Sequence, residues 1–368
     1  MVRSRPSGAR AGRQTPIALA LWLVAAPWLD GCSVSAEVSR RPARAPQPPA
    51  PRAEVVEAPV VTLPLAPPLD DPTAELSDLA WAGDELFLLP QFPARFGAGG
   101  SLFKIRRADI ERWLDGDRRG ALDVTPVAFD GGGVVERIDG FQGFEALAIE
   151  GDRLYLTAES RSEGRMRAHL MRGELDVGRA RAGVRADTMV ELPCPGSLGN
   201  LSYEALTVYR GSVVTFYESN GHAIVSEPAA LFWDELLHSF ERRPMSPLEY
   251  RVTGASAADA AGRFWVTNVF WPGEKALRAD DPIAAAYGRG ATHARSETVE
   301  RLVELRIGPG GVERTPTAPL QLALARDERT RNWEGIARLG ERGFLLVADE
   351  HPTTILAFVP SEGGARPR

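Results

Sequence analysis

Five times along the chain, a residue at the head of a short apolar strand is followed after a tight turn by a second apolar strand that closes on a polar group. Phe144-Glu145-Ala146-Leu147-Ala148-Ile149 leads to Leu154-Tyr155-Leu156-Thr157-Ala158-Glu159, and Tyr203-Glu204-Ala205-Leu206-Thr207-Val208 leads to Val213-Val214-Thr215-Phe216-Tyr217-Glu218. Trp333-Glu334-Gly335-Ile336-Ala337 with Phe344 to Glu350, and Glu75 to Trp81 with Leu86 to Gln91, repeat the pattern. A fifth copy keeps its second strand, Arg263 to Asn268, but has Ala255 or Ser256 where the opening acid should stand. Strand pairs recurring at roughly 50–80 residues cannot bury their own faces and must stack on neighbours, which is the signature of a β-propeller.

Between these pairs lie outer-strand candidates with period-2 alternation. They are 101–106 and 121–127, 168–173 and 187–192, 221–225 and 248–252, 300–307 and 311–315, and 354–359. The last unit is one strand short, and Val60 to Leu65 can supply it, closing the ring and removing exposed sheet edges. The expected fold is all-β, a propeller of five four-stranded blades; the uneven spacing leaves six open. Residues 108–114 and 230–237 read as short helices, and 271–300 as an insertion that either shapes a binding mouth or merely decorates the surface.

The ends of the chain belong to other classes. Arg3, Arg5, Arg10 and Arg13 precede an apolar run from Pro16 to Leu29, which reads as an export signal. Leu29-Asp30-Gly31-Cys32 resembles a bacterial lipobox, with Asp30 as the departure, and makes Cys32 the candidate lipidation site; ordinary secretion or a retained anchor are the alternatives. The domains expected are thus a signal over 1–32, a Pro/Ala/Arg-rich tether over 33–56 and one propeller over 57–368. Lipid anchoring would place the protein in the bacterial cell envelope, at the outer membrane or in the periplasm.

The net charge of −6 comes with scattered arginines rather than a basic stripe, which excludes nucleic acid as a partner. The partners expected are a small-molecule or glycan ligand and, through the lipid anchor alone, a membrane; the propeller is expected to be monomeric. Cys194 is the single thiol after Cys32 and reads as a small hydrophobe.

Antiparallel pairing puts the start of each first strand and the end of each second strand at one face of a propeller. Glu75, Glu145, Glu204 and Glu334 should therefore ring one channel mouth, with Gln91, Glu159, Glu218, Asn268, Asp349 and Glu350 close by. Crowded carboxylates raise one another's pKa unless they are protonated, hydrogen-bonded or neutralised by a cation. Oxygen ligands in such number suit Ca²⁺, with Glu75, Glu145, Glu159, Glu204, Glu218, Glu334 and Asp349 as candidate ligands. Alternatively, each glutamate caps the backbone of the neighbouring blade and the ring is scaffold. His351 and His222 are placed to act as general acid or base, or are ordinary loop residues. No zinc spacing, nucleophile elbow, phosphate loop or dinucleotide fingerprint occurs in a credible context.

At Asn332-Trp333-Glu334-Gly335-Ile336-Ala337 and Leu346-Val347-Ala348-Asp349-Glu350, echoed at Phe144 to Ala148 and at Ala158-Glu159-Ser160, the chain resembles the esterase-like activity of phytase family of exported bacterial β-propellers. The resemblance covers about residues 74–360. It implies a calcium-assisted hydrolase of carboxylate or phosphate esters, with Glu145, Glu159, Glu204, Glu218, Glu334, Asp349 and Glu350 as candidate ligands; the catalytic candidates at the mouth are Glu350 and His351. Arg161 and Arg165, with Arg167, would bind a phosphate, or else form a solvated loop. The missing acid of the fourth unit and Gln91 in the first depart from the pattern. The alternative is a non-catalytic propeller that binds a ligand, glycan or protein at the same face.

Overall fold

The computed structural model describes residues 55–117, 120–195, 200–326, 329–349 and 351–361. Cys32, the export signal and most of the tether lie outside the described residues, as does Glu350.

The strands run in chain order as β1 (Val61–Leu63), β2 (Leu76–Ala82), β3 (Glu85–Pro90), β4 (Ser101–Arg106), β5 (Thr125–Asp130), β6 (Phe141–Glu150), β7 (Arg153–Ser162), β8 (Arg165–Asp176), β9 (Arg181–Val184) and β10 (Val190–Leu192). They continue as β11 (Ala205–Tyr209), β12 (Ser212–Phe216), β13 (Ala229–Trp233), β14 (Phe240–Pro244), β15 (Arg263–Phe270), β16 (Val299–Gly308), β17 (Gly311–Arg314), β18 (Leu320–Gln321), β19 (Trp333–Leu339), β20 (Gly343–Ala348) and β21 (Ile355–Pro360). Helix α1 (Arg107–Leu114) is where the sequence places it; α2 (Val134–Arg137) and α3 (Pro282–Tyr287) are single turns.

The protein is an all-β propeller of five blades. Blade one is β2-β3-β4-β5, and blade two is β6-β7-β8-β9 with β10 beside β8. Blade three is β11-β12-β13-β14. Blade four is β15-β16-β17 with β18 beside β16, and blade five is β19-β20-β21 closed by β1. Val61 pairs with Phe358 and Leu63 with Leu356, so a strand ahead of the first repeat completes the last blade, as the sequence implies.

Alternation along each strand sends successive side chains into different inter-blade layers. On β3, Leu86 and Leu88 pack with Leu345, Val347 and Phe358 of blade five, while Phe87 and Leu89 pack with Leu154, Leu156 and Met171 of blade two. Similar layers join blades two and three (Tyr155, Leu170, Val213, Trp233), three and four (Phe216, Phe232, Phe264, Val303), and four and five (Leu302, Ile336, Phe344). Among the described residues, five layers join five blades. They also explain why strands buried on both faces read as continuous apolar runs.

Three expectations about element placement need correction. Residues 229–233 form β13, not a helix: Ala230, Leu231, Phe232 and Trp233 are all buried, and burial on both faces erases the period that separates strand from helix. The outer strands of blade three are accordingly β13 and β14; residues 221–225 form a turn. The stretch 248–252 belongs to blade four. There Arg251 bridges Val269 and Ala255 bridges Val266, so 251–256 is an irregular innermost strand beside β15. The 271–298 segment links β15 to β16 within that blade.

Near the axis the inner strands touch. Asp78 of β2 is buried, and its Oδ2 accepts the Leu147 N–H of β6 at 2.7 Å. The Thr207 hydroxyl donates to the Ser256 carbonyl at 3.0 Å, and Thr253 donates to the Trp333 carbonyl. The capping that the sequence allowed for the glutamates is therefore done by Asp78 and by threonines. A side-chain carbon at Gly335 would sit 2.5 Å from Asp78 Oδ1, which accounts for glycine in that motif. Gly335→Ala should lose about 2–4 kcal/mol of unfolding free energy in urea titrations, whereas Gly178→Ala, in an exposed turn, should change it by less than about 0.5 kcal/mol.

Candidate functional site

The face where first strands begin and second strands end gathers acids from three blades. Glu145 (β6) and Glu159 (β7) come from blade two. Glu204 and Glu218 flank β11 and β12 of blade three, while Glu334 (β19) and Asp349 come from blade five. Electrostatic interactions link Glu145 with Glu159, Glu204 and Asp349, and Glu334 with Glu204, Asp349 and Glu145. The convergence inferred from antiparallel geometry is thus present.

Blade four lacks the opening acid and contributes a cation. Arg251 has a side chain only 12 % exposed, and its Nη1 meets Glu218 and lies 3.7 Å from Glu204 Oε1. Its Nε donates to Glu274 at 2.9 Å to both oxygens, and Nη2 donates to Glu274 and to the Asn200 carbonyl at 3.2 Å. Its backbone exchanges hydrogen bonds with Val269 at 2.9 and 3.1 Å. Asn268 Nδ2 donates to the Glu249 and Arg251 carbonyls, both at 3.0 Å, so this closing residue is spent on holding Arg251 in place.

Burial is the main force on the acids. It raises Glu145 well above its ordinary value, repulsion from Glu159 and Glu204 adds to this, and the Gln91 amide at 3.0 Å from Oε1 opposes it. Glu334 is raised by burial and then by Glu204, Asp349 and Glu145, with Arg251 opposing. Burial also raises Glu159, against Arg251 and Arg161. Glu204 is pushed by burial to about 8, with Arg251 pulling back and Glu159, Glu274 and Asp349 adding. Its Oε2 is buried without a hydrogen-bond partner.

The other candidates divide. Glu75 stands at the same face, its carbonyl accepting the Gln91 N–H, but its carboxylate is committed to Arg95 at 2.6 Å. Asp349 accepts from Asn332 Nδ2 at 3.2 Å and from the His351 N–H at 2.7 Å, while the His351 ring is largely exposed, 3.6 Å from Asp349 Oδ2. Arg161 acts on Glu159 and donates to Asn200 Oδ1 at 3.0 Å. Arg165 lies at the exposed β7–β8 hairpin, and Arg167 is paired with Glu191 at 3.0 Å. His222 lends its backbone N–H to Glu249.

Calcium demands six to eight oxygens at about 2.3–2.6 Å around one point. Here a guanidinium stands among the carboxylates. Among the described residues, no group of three or more His, Cys, Asp or Glu side chains is arranged to hold a metal ion. The donor set as it stands does not fit Ca²⁺.

Sequence reading overlooked Arg251 and Glu274. The signal available was the broken fourth repeat, where a missing acid leaves room for a compensating charge nearby.

No family model matches the sequence, and no curated protein does. The expected family is therefore not recovered; what stands of that resemblance is the β-propeller. Among solved structures the chain is similar to a putative glycoside hydrolase from Bacteroides ovatus, at 10 % identity and a TM-score of 0.44, covering 85 % of this chain and 99 % of that one. It is also similar to the GH43_1 enzyme from Xanthomonas citri, at 13 % identity and a TM-score of 0.43, covering 84 % and 93 %. A third is a protein of unknown function from Bacteroides thetaiotaomicron, at 11 % identity and a TM-score of 0.40, of which the chain spans 58 % while 76 % of this chain is covered. No activity follows from likenesses this distant.

A carboxyl group raised from 4.5 to about 8 is protonated in both folded and unfolded chains below pH 4.5, and only in the folded chain between 4.5 and about 8. Its contribution to stability is present at low pH and lost as pH rises through that window. Unfolding free energy should fall by about 2–4 kcal/mol from about pH 5 to about pH 8, and Glu204→Gln should flatten part of that slope in urea melts run across pH.

Proposed function

We propose that the protein is a hydrolase whose working centre is the carboxyl cluster at the channel mouth, acting by general acid–base chemistry on a neutral, hydroxyl-rich glycoside or ester. The observation that carries this reading is Glu204. Its Oε2 is buried without a partner, among acids brought from separate blades to one face.

Charge bears on the substrate class. The mouth holds Glu145, Glu159, Glu204, Glu218, Glu274, Glu334 and Asp349 against one buried guanidinium, so a phosphoester or other anion meets repulsion there. A neutral substrate with many hydroxyls meets hydrogen-bond acceptors and donors. Trp271 supports the same class: it is 58 % exposed, one turn from Glu274, whose N–H donates to the Trp271 carbonyl at 3.0 Å. An exposed indole offers a flat apolar surface for one face of a sugar-like ring.

In this mechanism Glu204 gives its proton to the leaving-group oxygen as the substrate C–O bond breaks. Asp349, oriented by Asn332 and the His351 N–H, takes a proton from the attacking water as the new C–O bond forms. Proton exchange with solvent then returns both groups to their starting states. Arg251 holds Glu218 and Glu274 away from the exchange. Export and anchoring through Cys32 form part of the same reading, since they would set the enzyme against extracytoplasmic substrates.

Purified protein should turn over members of a panel of neutral chromogenic glycosides and esters with chelator present, and phosphomonoesters poorly. Glu204→Gln should lower kcat by about 10²–10⁴-fold without loss of melting temperature. No turnover of any neutral substrate, or a fully active Glu204→Gln, defeats the reading and leaves a binding propeller. Trp271→Ala should raise KM roughly tenfold with kcat nearly unchanged, measured by steady-state kinetics on whichever substrate is found.

A further inference from the structure

We infer that Arg251 is the resident counter-cation of the channel mouth, standing where a divalent metal would otherwise balance the carboxyl groups, and that the mouth is metal-independent because of it. This does not depend on the protein being a hydrolase.

Blade four is the one repeat without an opening acid, and Arg251 enters from its irregular inner strand, four residues ahead of Ala255. The strand pairing with Val269 and the two carbonyls held by Asn268 fix the backbone from which the side chain projects. Every guanidinium nitrogen is engaged: Nε by Glu274, Nη2 by Glu274 and the Asn200 carbonyl, and Nη1 by Glu218, with Glu204 at 3.7 Å. Glu218 is fully buried, and its other oxygen accepts the Ser202 N–H at 3.2 Å, so without Arg251 it would be a buried charge with no counter-ion.

A metal and this guanidinium exclude one another. Both need the oxygens of Glu218 and Glu274, and a fixed positive charge repels a divalent ion at contact distance. Removing the guanidinium would leave three carboxyl groups facing the space it vacates. One of them, Glu204, is nine-tenths buried and already presents an unpartnered oxygen to that cluster. Oxygen donors of this kind, held by different strands, take a hard cation such as Ca²⁺. The arginine is a positioning residue: it acts through the acids it holds.

The test compares thermal melts of the full-length protein at neutral pH in chelator and in millimolar CaCl₂. The wild-type protein should shift by less than about 1 °C, whereas Arg251→Gln should be destabilised in chelator and gain about 5 °C or more with calcium. Arg251→Lys, which keeps the charge, should remain insensitive to calcium. Stabilisation of the wild-type protein as large as that of Arg251→Gln would overturn the inference, and so would a folded Arg251→Gln that ignores calcium. If Arg251→Gln folds under neither condition, Arg251→Lys decides: a melt independent of calcium supports the inference, and a calcium-dependent rise overturns it.

Discussion

Five inner strands can approach a common axis only if the groups that face one another are small or bonded across the gap. This protein meets that constraint with few residues. Gly254 lies against the Glu334 carbonyl, and Gly335 lies against Asp78. Asp78 in turn accepts from Leu147, so a chain of contacts runs from blade four through blades five and one to blade two. Asp78 is itself raised well above its ordinary value by burial, with the Leu147 and Leu79 N–H groups opposing. A small group at 335 and a compact bridging acid at 78 are therefore a matched pair: enlarging either pushes two blades apart. Everything at the mouth is positioned by this packing, because the acids leave the same strands within a few residues of the contacts.

That proximity gives the site its electrostatic character. The inner strands carry carboxyl groups to one place while the blades exclude water from them, and exclusion of water disfavours the charged form of each. One guanidinium does not neutralise so many acids. Burial favours proton retention on Glu145, Glu204 and Glu334, while Arg251 pairs with Glu218 and Glu274. Within a few residues the mouth thus holds both a carboxylic acid able to donate and a carboxylate able to accept, the division of roles that acid–base hydrolysis needs.

Much of this arrangement was legible in the sequence, for identifiable reasons. Strand pairs such as Glu145 to Glu159 announce themselves by apolar runs with a tight turn between. Once antiparallel pairing is granted, the shared face of their ends follows from geometry alone. The closing role of Val61 to Leu63 followed from counting strands. What failed to show was long-range or compensatory. In Leu248-Glu249-Tyr250-Arg251-Val252 the alternation suggests an outer strand of blade three, and nothing local shows that it pairs with Val269 instead. Ala230 to Trp233 lost its strand period because both faces are buried. Asp78 passed unnoticed because one buried acid in an apolar run has no partner in sequence; its partner, Leu147, belongs to another repeat.

The choice of an arginine over a metal also affects what the acids can do. A calcium ion draws six to eight oxygens into a shell about 2.3–2.6 Å in radius, so the acids that bind it surrender their free lone pairs. A guanidinium is planar and binds through N–H groups that point outward in its own plane. Arg251 takes Glu274 along one edge and Glu218 along another, and it leaves Glu204 at 3.7 Å with its second oxygen unbonded. Its charge is also constant across the range in which proteins work. The protonation of Glu204 is then set by burial, by its neighbours and by the pH of the surroundings, not by the supply of a metal. A mouth built in this way keeps one acid available for proton transfer below about pH 8.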